Sequence, residues 1–297
     1  MTYVGRFAPS PTGPLHFGSL VAAVASYLEA KTHNGNWLLR IEDLDTPRVQ
    51  AGAADHIIST LDAFGFEWDG DIMYQSQRND AYINAFNLLK NKQLIYPCTC
   101  TRKEIADSSS QTGIEGIIYP GTCLSKPIKP NAPIAWRIKT EDKLISFDDA
   151  IRGEISQNLK VDISDFVLKR ADHLFTYQLT VVVDDAEQGI THVVRGADLL
   201  NSTPRQIYLQ TLLNFNTPNY THIPIATDNA GQKLSKQSLA KGLSATEAST
   251  DLFNALHFLN QTPPPELMYD SLATIWQWAL AHWDSTHIST KGTQITQ

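Results

Sequence analysis

Arg6-Phe-Ala-Pro-Ser-Pro-Thr-Gly-Pro-Leu-His-Phe-Gly-Ser-Leu20 decides how the rest of the chain is read. Residues 3–7 alternate as a short strand, and Pro9, Pro11, Gly13 and Pro14 make a stiff loop. From Gly18 to Lys31 an apolar, alanine-rich pattern predicts a helix. A glycine-bounded loop that carries His16 and opens a helix is one half of a nucleotide site, because a helix N-terminus offers unpaired N–H groups to phosphate. The other half is a loop with two lysines, Lys233-Leu-Ser-Lys-Gln237, which follows the turn-rich Asp228-Asn-Ala-Gly231. Together the two segments imply adenylate chemistry with ATP.

Working outward, Trp37-Leu-Leu-Arg-Ile41 predicts a second strand ending at Glu42-Asp-Leu-Asp45, and residues 50–64 a second helix. This alternation implies a parallel α/β sheet, whose ligands bind beyond the carboxyl ends of the strands, where the 6–13 loop and the 42–45 turn both emerge. Residues 80–92 read as helix. The stretch from 96 to about 129, turn-rich and holding every cysteine, reads as an inserted module. Strands at 135–138, 147–149 and 166–168 return it toward the main sheet. Thr180-Val-Val-Val183 and His192-Val-Val-Arg-Gly196 read as buried strands, and residues from 244 onward as helix broken at Pro263-Pro-Pro265.

An in-line phosphoryl transition state needs donors that do not reorganise, and His16, the helix start at Gly18, Lys236 and, in support, Lys233 supply them. Arg6 and Arg195, at strand ends, are able to bond a carboxylate in bidentate fashion, Glu42 offers the opposite charge, and Tyr177 a phenol that packs and hydrogen-bonds. Taken singly, each has a plain structural reading: a proline-rich turn, solvated lysines, surface ion pairs, a core tyrosine, an acidic helix cap. Their joint occurrence favours a site.

The chain resembles the class I aminoacyl-tRNA synthetases, with His16-Phe-Gly-Ser19 and Lys233-Leu-Ser-Lys-Gln237 at their two signatures. Within that class Arg40-Ile-Glu-Asp-Leu-Asp-Thr-Pro-Arg48, Val182-Val-Asp-Asp185 and Gly189-Ile-Thr-His-Val-Val-Arg-Gly196 are similar to the glutamyl branch. The resemblance spans roughly residues 3–240 and departs from the pattern at Ser19, where a histidine is usual. It implies a Rossmann-type catalytic domain. It also implies glutamate contacts from Arg6, Phe7, Ala8, Pro9, Ser10, Glu42, Tyr177 and Arg195, and ATP contacts from His16, Gly18 and Lys236, with magnesium bridging the phosphates.

Cys98-Thr-Cys100 and Cys123 cannot all pair, and three thiols within 26 residues suit zinc or, more simply, free buried cysteines. The resemblance supplies Tyr119 as a fourth ligand of one structural zinc. Only about 60 residues follow the lysine loop, and few are basic, whereas ordinary glutamyl-tRNA synthetases continue into a large anticodon-reading domain. That shortness resembles the glutamyl-Q tRNA(Asp) synthetase family. It implies activation of L-glutamate without tRNA and its transfer to the queuosine base in the anticodon loop of tRNA(Asp). The alternatives are a truncated glutamyl-tRNA synthetase charging a tRNA 3′ end and a non-catalytic tRNA-binding module.

The expected organisation is a catalytic half over residues 1–95, an inserted zinc-containing module over 96–165, a second half over 166–240 and a short helical region over 241–297. Of 297 residues 42% are hydrophobic, so one large core and a smaller one are expected, and the net charge of −7 argues against a broad basic face. With no long apolar run and no signal-peptide pattern, a cytoplasmic monomer without membrane contact is expected.

Overall fold

The computed structural model of the chain describes residues 2–227 and 242–295. The Val4–Phe7 strand runs parallel to Asn36–Ile41, which runs parallel to Met73–Tyr74. A second set pairs His192–Gly196 with Asn219–Ile223 in parallel, and the Tyr220 and Asp149 pairing adds the Leu144–Asp149 strand. Thr191 joins the two sets. Its N–H donates to Val4 O at 3.0 Å, and its hydroxyl accepts the Val4 N–H at 2.8 Å. The expected parallel α/β architecture is therefore present, but of the three strands expected to return to it only that at 147–149, within Leu144–Asp149, does so, whereas those at 135–138 and 166–168 fall in a separate antiparallel sheet.

The Phe17–Thr32 helix packs on strands of both sets. Its leucine, valine and alanine side chains are buried on nearly every face, because the Ala248–Phe258 and Leu272–His282 helices cover it from the other side. Trp276 fastens this layer. Its indole N–H donates to Phe64 O at 2.8 Å while its ring meets Tyr27 edge-on. The tail is thus helical and interrupted near residues 263–265 as expected, but a strand not anticipated, Thr293–Ile295, pairs in parallel with Ile225–Thr227.

A second core, including Tyr82, Phe86, Leu89, Ile138, Leu168, Phe175 and Leu209, lies between the Asn79–Asn91 and Thr203–Leu213 helices and an antiparallel sheet of Ile95–Cys98, Ala135–Ile138 and Val167–Lys169. One expected strand is corrected here. Thr180-Val-Val-Val183 forms the middle of a helix, Tyr177–Glu187, not a strand. β-Branched residues favour strands only weakly, and here the helix buries Leu179, Val181, Val182 and Val183 against two neighbouring helices. The same winding buries Thr180, Asp184 and Asp185. Among the described residues, no helix is long and apolar enough to cross a membrane.

Candidate active site

Four of the residues expected to bind the amino acid converge at the carboxyl ends of the parallel strands. Arg6, on the first strand, is 4% exposed, and its Nε donates to Asp185 Oδ1 at 3.2 Å. Arg40, fully buried on the second strand, reaches the same oxygen at 2.8 Å and Glu42 Oε1 at 3.4 Å. Burial opposes ionisation of Asp185, yet the two guanidinium groups hold its carboxyl below the usual range. For Glu42 burial prevails over Arg40 and Arg6, and its carboxyl is pushed up. Glu42 is tied to the loop it faces, because its N–H donates to Pro9 O at 3.0 Å.

Arg195, 5% exposed at the end of the His192–Gly196 strand, completes the group. Its Nη1 donates to the Tyr177 hydroxyl at 3.2 Å, and its Nη2 donates to Thr203 Oγ1 and Gln206 Oε1, each at 2.8 Å. Its Nε donates to His222 Nε2 at 3.0 Å. Burial raises the Tyr177 phenol, and Arg195, Glu42, Arg6 and Asp185 all act on it in turn, so the two arginines serve one neighbourhood. Ala8 and Pro9 are half-buried at its mouth and Ser10 is exposed, whereas Phe7 turns its ring inward against Trp37.

Around these lie residues to which sequence reasoning gave no role in the site. Asp184 accepts from Gln75 and Tyr82 at 2.8 Å and from Arg78 at 3.0 Å, anchoring the helix that presents Tyr177. His222, fully buried, gives its Nδ1–H to Asp149 Oδ2 at 2.6 Å. Burial, opposed by Asp149 and reinforced by the charges of Arg195 and Arg152, pushes the imidazole down to about 4. The helical spacing of Tyr177, Thr180, Asp184 and Gln188 was the signal available for the first set. For His222 no local signal existed.

At the start of the first helix, His16 caps Phe17–Thr32 with extended backbone, and its Nε2 lies 3.2 Å from Ser19 Oγ in the first turn, near Gly18. Gly13 holds φ +135°, a conformation that needs glycine in the loop before it. Lys233 and Lys236 lie outside the described residues. The chain is described again from Gly242, whose backbone bridges that of His16, and Leu243 N–H donates to Leu15 O at 2.9 Å.

The cysteines form a separate cluster. The sulfurs of Cys98, Cys100 and Cys123 lie within 4.8 Å of one another, and Tyr119 Oη is 3.4 Å from Cys98 Sγ and 3.8 Å from Cys100 Sγ. Arg137 stacks on the Tyr119 ring and donates from Nε to Cys98 Sγ at 3.4 Å. Tetrahedral thiolate coordination sets sulfurs about 3.8 Å apart, so the donor set fits a metal ion.

The sequence profile of the family described as class I tRNA synthetases (E and Q), catalytic domain, matches residues 3–261. A glutamyl-Q tRNA(Asp) synthetase of Dechloromonas aromatica is 55% identical over 282 residues, covering 95% of this chain and 94% of that protein. One of Neisseria meningitidis serogroup B is 51% identical over 285 residues, covering 95% of this chain and 96% of that protein. Among solved structures, the glutamate-tRNA synthetase of Elizabethkingia anophelis superposes with a TM-score of 0.80 at 25% identity, over 99% of this chain and 68% of that one.

Proposed function

Because the chain belongs to the class I tRNA synthetases of the glutamate and glutamine type, we propose that it activates L-glutamate with ATP, without tRNA, and transfers the glutamyl group to queuosine in the anticodon loop of tRNA(Asp). The observation that carries this reading is the convergence of Arg6 and Arg195 with Glu42 and Tyr177 at the strand ends, in a chain about half identical to glutamyl-Q tRNA(Asp) synthetases over nearly its whole length.

In this reading the glutamate lies between the arginines, which meet its two carboxylates, while Glu42 faces its ammonium group and Tyr177 its stem. Phe7 to Ser10 contribute backbone and the rim. The α-carboxylate attacks the α-phosphorus of ATP, pyrophosphate leaves, and a hydroxyl of the cyclopentene ring of queuosine displaces AMP. His16 and Lys236, with Lys233 in support, stabilise the phosphoryl charge, Gly18 lets the backbone approach the nucleotide, and magnesium accompanies the phosphates. One zinc held by Cys98, Cys100, Cys123 and Tyr119 would cross-link the inserted module and contribute folding free energy there. The module spans residues 96–165, between catalytic halves at 1–95 and 166–240, with residues 241–297 completing the fold. The protein works in the cytoplasm, where its tRNA is, as a monomer.

The test is pyrophosphate exchange with glutamate in the absence of RNA, followed by labelling of tRNA(Asp) with and without queuosine. Exchange without RNA and label confined to the queuosine-bearing tRNA are expected. Label on a 3′ end, or no exchange, overturns the reading. Lys236→Ala should lower the exchange rate by about a hundredfold or more.

A further inference from the structure

Arg195 is held by partners that leave its guanidinium almost no freedom. Of its five N–H donors, one goes to His222, one to Tyr177, and two to Thr203 and Gln206. Among the described residues that leaves one, on Nη1, to meet a ligand. The Nε of Arg195 rests on His222 Nε2, which also lies 3.2 Å from Thr203 Oγ1, the acceptor of one Nη2 donor, so the state of that imidazole bears on two of the four anchors.

An arginine N–H can only donate, so His222 Nε2, 3.0 Å from Arg195 Nε, must carry a lone pair. An ionised carboxylate can only accept, so Nδ1, 2.6 Å from Asp149 Oδ2, must carry the proton. Asp149 is fixed in turn. Its Oδ1 accepts the backbone N–H groups of Ile151, Arg152 and His222 at 3.1, 2.9 and 3.3 Å, which prevents rotation of the carboxylate. Asp149 and His222 are both buried, so water does not substitute for a lost partner. Arg152, whose Nε donates to His222 O at 3.0 Å, is a further charged group beside the ring, and the Thr203 hydroxyl lies 3.2 Å from Nε2, to which it can donate while it accepts from Arg195.

We propose that Asp149 and His222 form a tautomer lock: they are positioning residues that aim Arg195 and thereby set the enzyme's selectivity for a dicarboxylic amino acid. This rests on the reading of Arg195 as a glutamate contact.

The lock can be inverted without changing its shape. In Asp149→Asn the three backbone N–H groups keep the amide oxygen on their side, since the flipped amide would oppose donors to donors. The Nδ2 group then faces His222 Nδ1 and forces the proton onto Nε2, against the Nε–H of Arg195 and in competition with Arg195 Nη2 for Thr203 Oγ1. His222→Gln, by contrast, keeps an acceptor for Arg195 and no longer answers to residue 149.

The experiment is tRNA-free pyrophosphate exchange by Asp149→Asn, His222→Gln, His222→Leu and a double variant combining Asp149→Asn with His222→Gln, with 15N spectra of the histidine rings. For Asp149→Asn we expect an inverted His222 tautomer, a KM for glutamate raised by about tenfold or more with kcat changed by less than about threefold, and weaker discrimination against glutamine. His222→Gln should raise KM by less than about threefold and His222→Leu by about tenfold or more. The double variant should match His222→Gln alone. An inverted tautomer with unchanged KM overturns the proposal, as does a double variant whose KM shows the two effects added. If Asp149→Asn does not fold, equal KM in the two single His222 variants overturns it. Absence of glutamate-dependent exchange in the unsubstituted protein instead removes the glutamate reading on which it stands, whereas the tautomer inversion is read without substrate.

Discussion

Acid should reach this protein first through single buried groups. His222 titrates near 4 in the folded state, below the ordinary value of 6.5, so the folded chain binds fewer protons than the unfolded chain between those values. Its neutral form is fully tolerated above pH 6.5, and stability falls as the pH drops toward 4, by on the order of 3 kcal/mol. Asp149, held below its usual value by His222 against the effect of burial, adds a further loss at lower pH. Urea melts from pH 7 to 4.5 should show this slope, and His222→Gln should flatten it. Asp185→Asn should cost about 3 kcal/mol at neutral pH, because it leaves Arg6 and Arg40 buried without their shared counter-charge. The gathering of Arg6, Glu42, Tyr177 and Arg195 in one neighbourhood was legible in the sequence, because their chemistry marked them out together and the strand ends bring them there. Asp185 as their organiser and His222 as the partner of Arg195 were not, because those pairings join residues 179 and 27 positions apart. Only the fold brings them together.

Elements were legible where a hydrophobic period agreed with the local propensity. The Val4–Phe7 and Asn36–Ile41 strands and the Phe17–Thr32 helix stand within two residues of where pattern placed them. Thr180-Val-Val-Val183 misleads because propensity and tertiary environment disagree, and burial between helices prevails. The turn before the second strand is as tightly specified as any helix. A Cβ on Gly35 would lie 2.4 Å from Tyr3 O, the atom that accepts the Asn36 N–H at 2.9 Å. Gly35→Ala should therefore destabilise by about 2 kcal/mol or more, measured by chemical denaturation. Adding zinc should protect residues 100–130 from protease and a chelator should reverse this, while tRNA-free exchange persists, since among the described residues the sulfur cluster shares no hydrogen bond or ion pair with Arg6 or Arg195.

For the whole molecule, net charge and layer order set the behaviour. With a charge of −7, RNA must be met by local cations, so the KM for tRNA should rise steeply with added salt, while on the proposed reading, in which buried arginines hold the amino acid, the KM for glutamate changes little. The tail was legible as helices, but its pairing with the first helix was not, because an amphipathic pattern does not name its partner. Trp276 carries much of that contact, and Trp276→Ala should cost about 3 to 5 kcal/mol in thermal or urea unfolding. Thr293–Ile295 was invisible because three residues are too few to show a period. Yet those residues lie alongside Ile225–Thr227, the last described positions before the lysine-bearing segment, whose far side resumes at Gly242 beside His16. Shortening the protein from its carboxyl end would unhem the very edge from which that segment departs. For anyone preparing the protein, trimming the tail past Thr293 therefore takes away a paired strand and not a loose end.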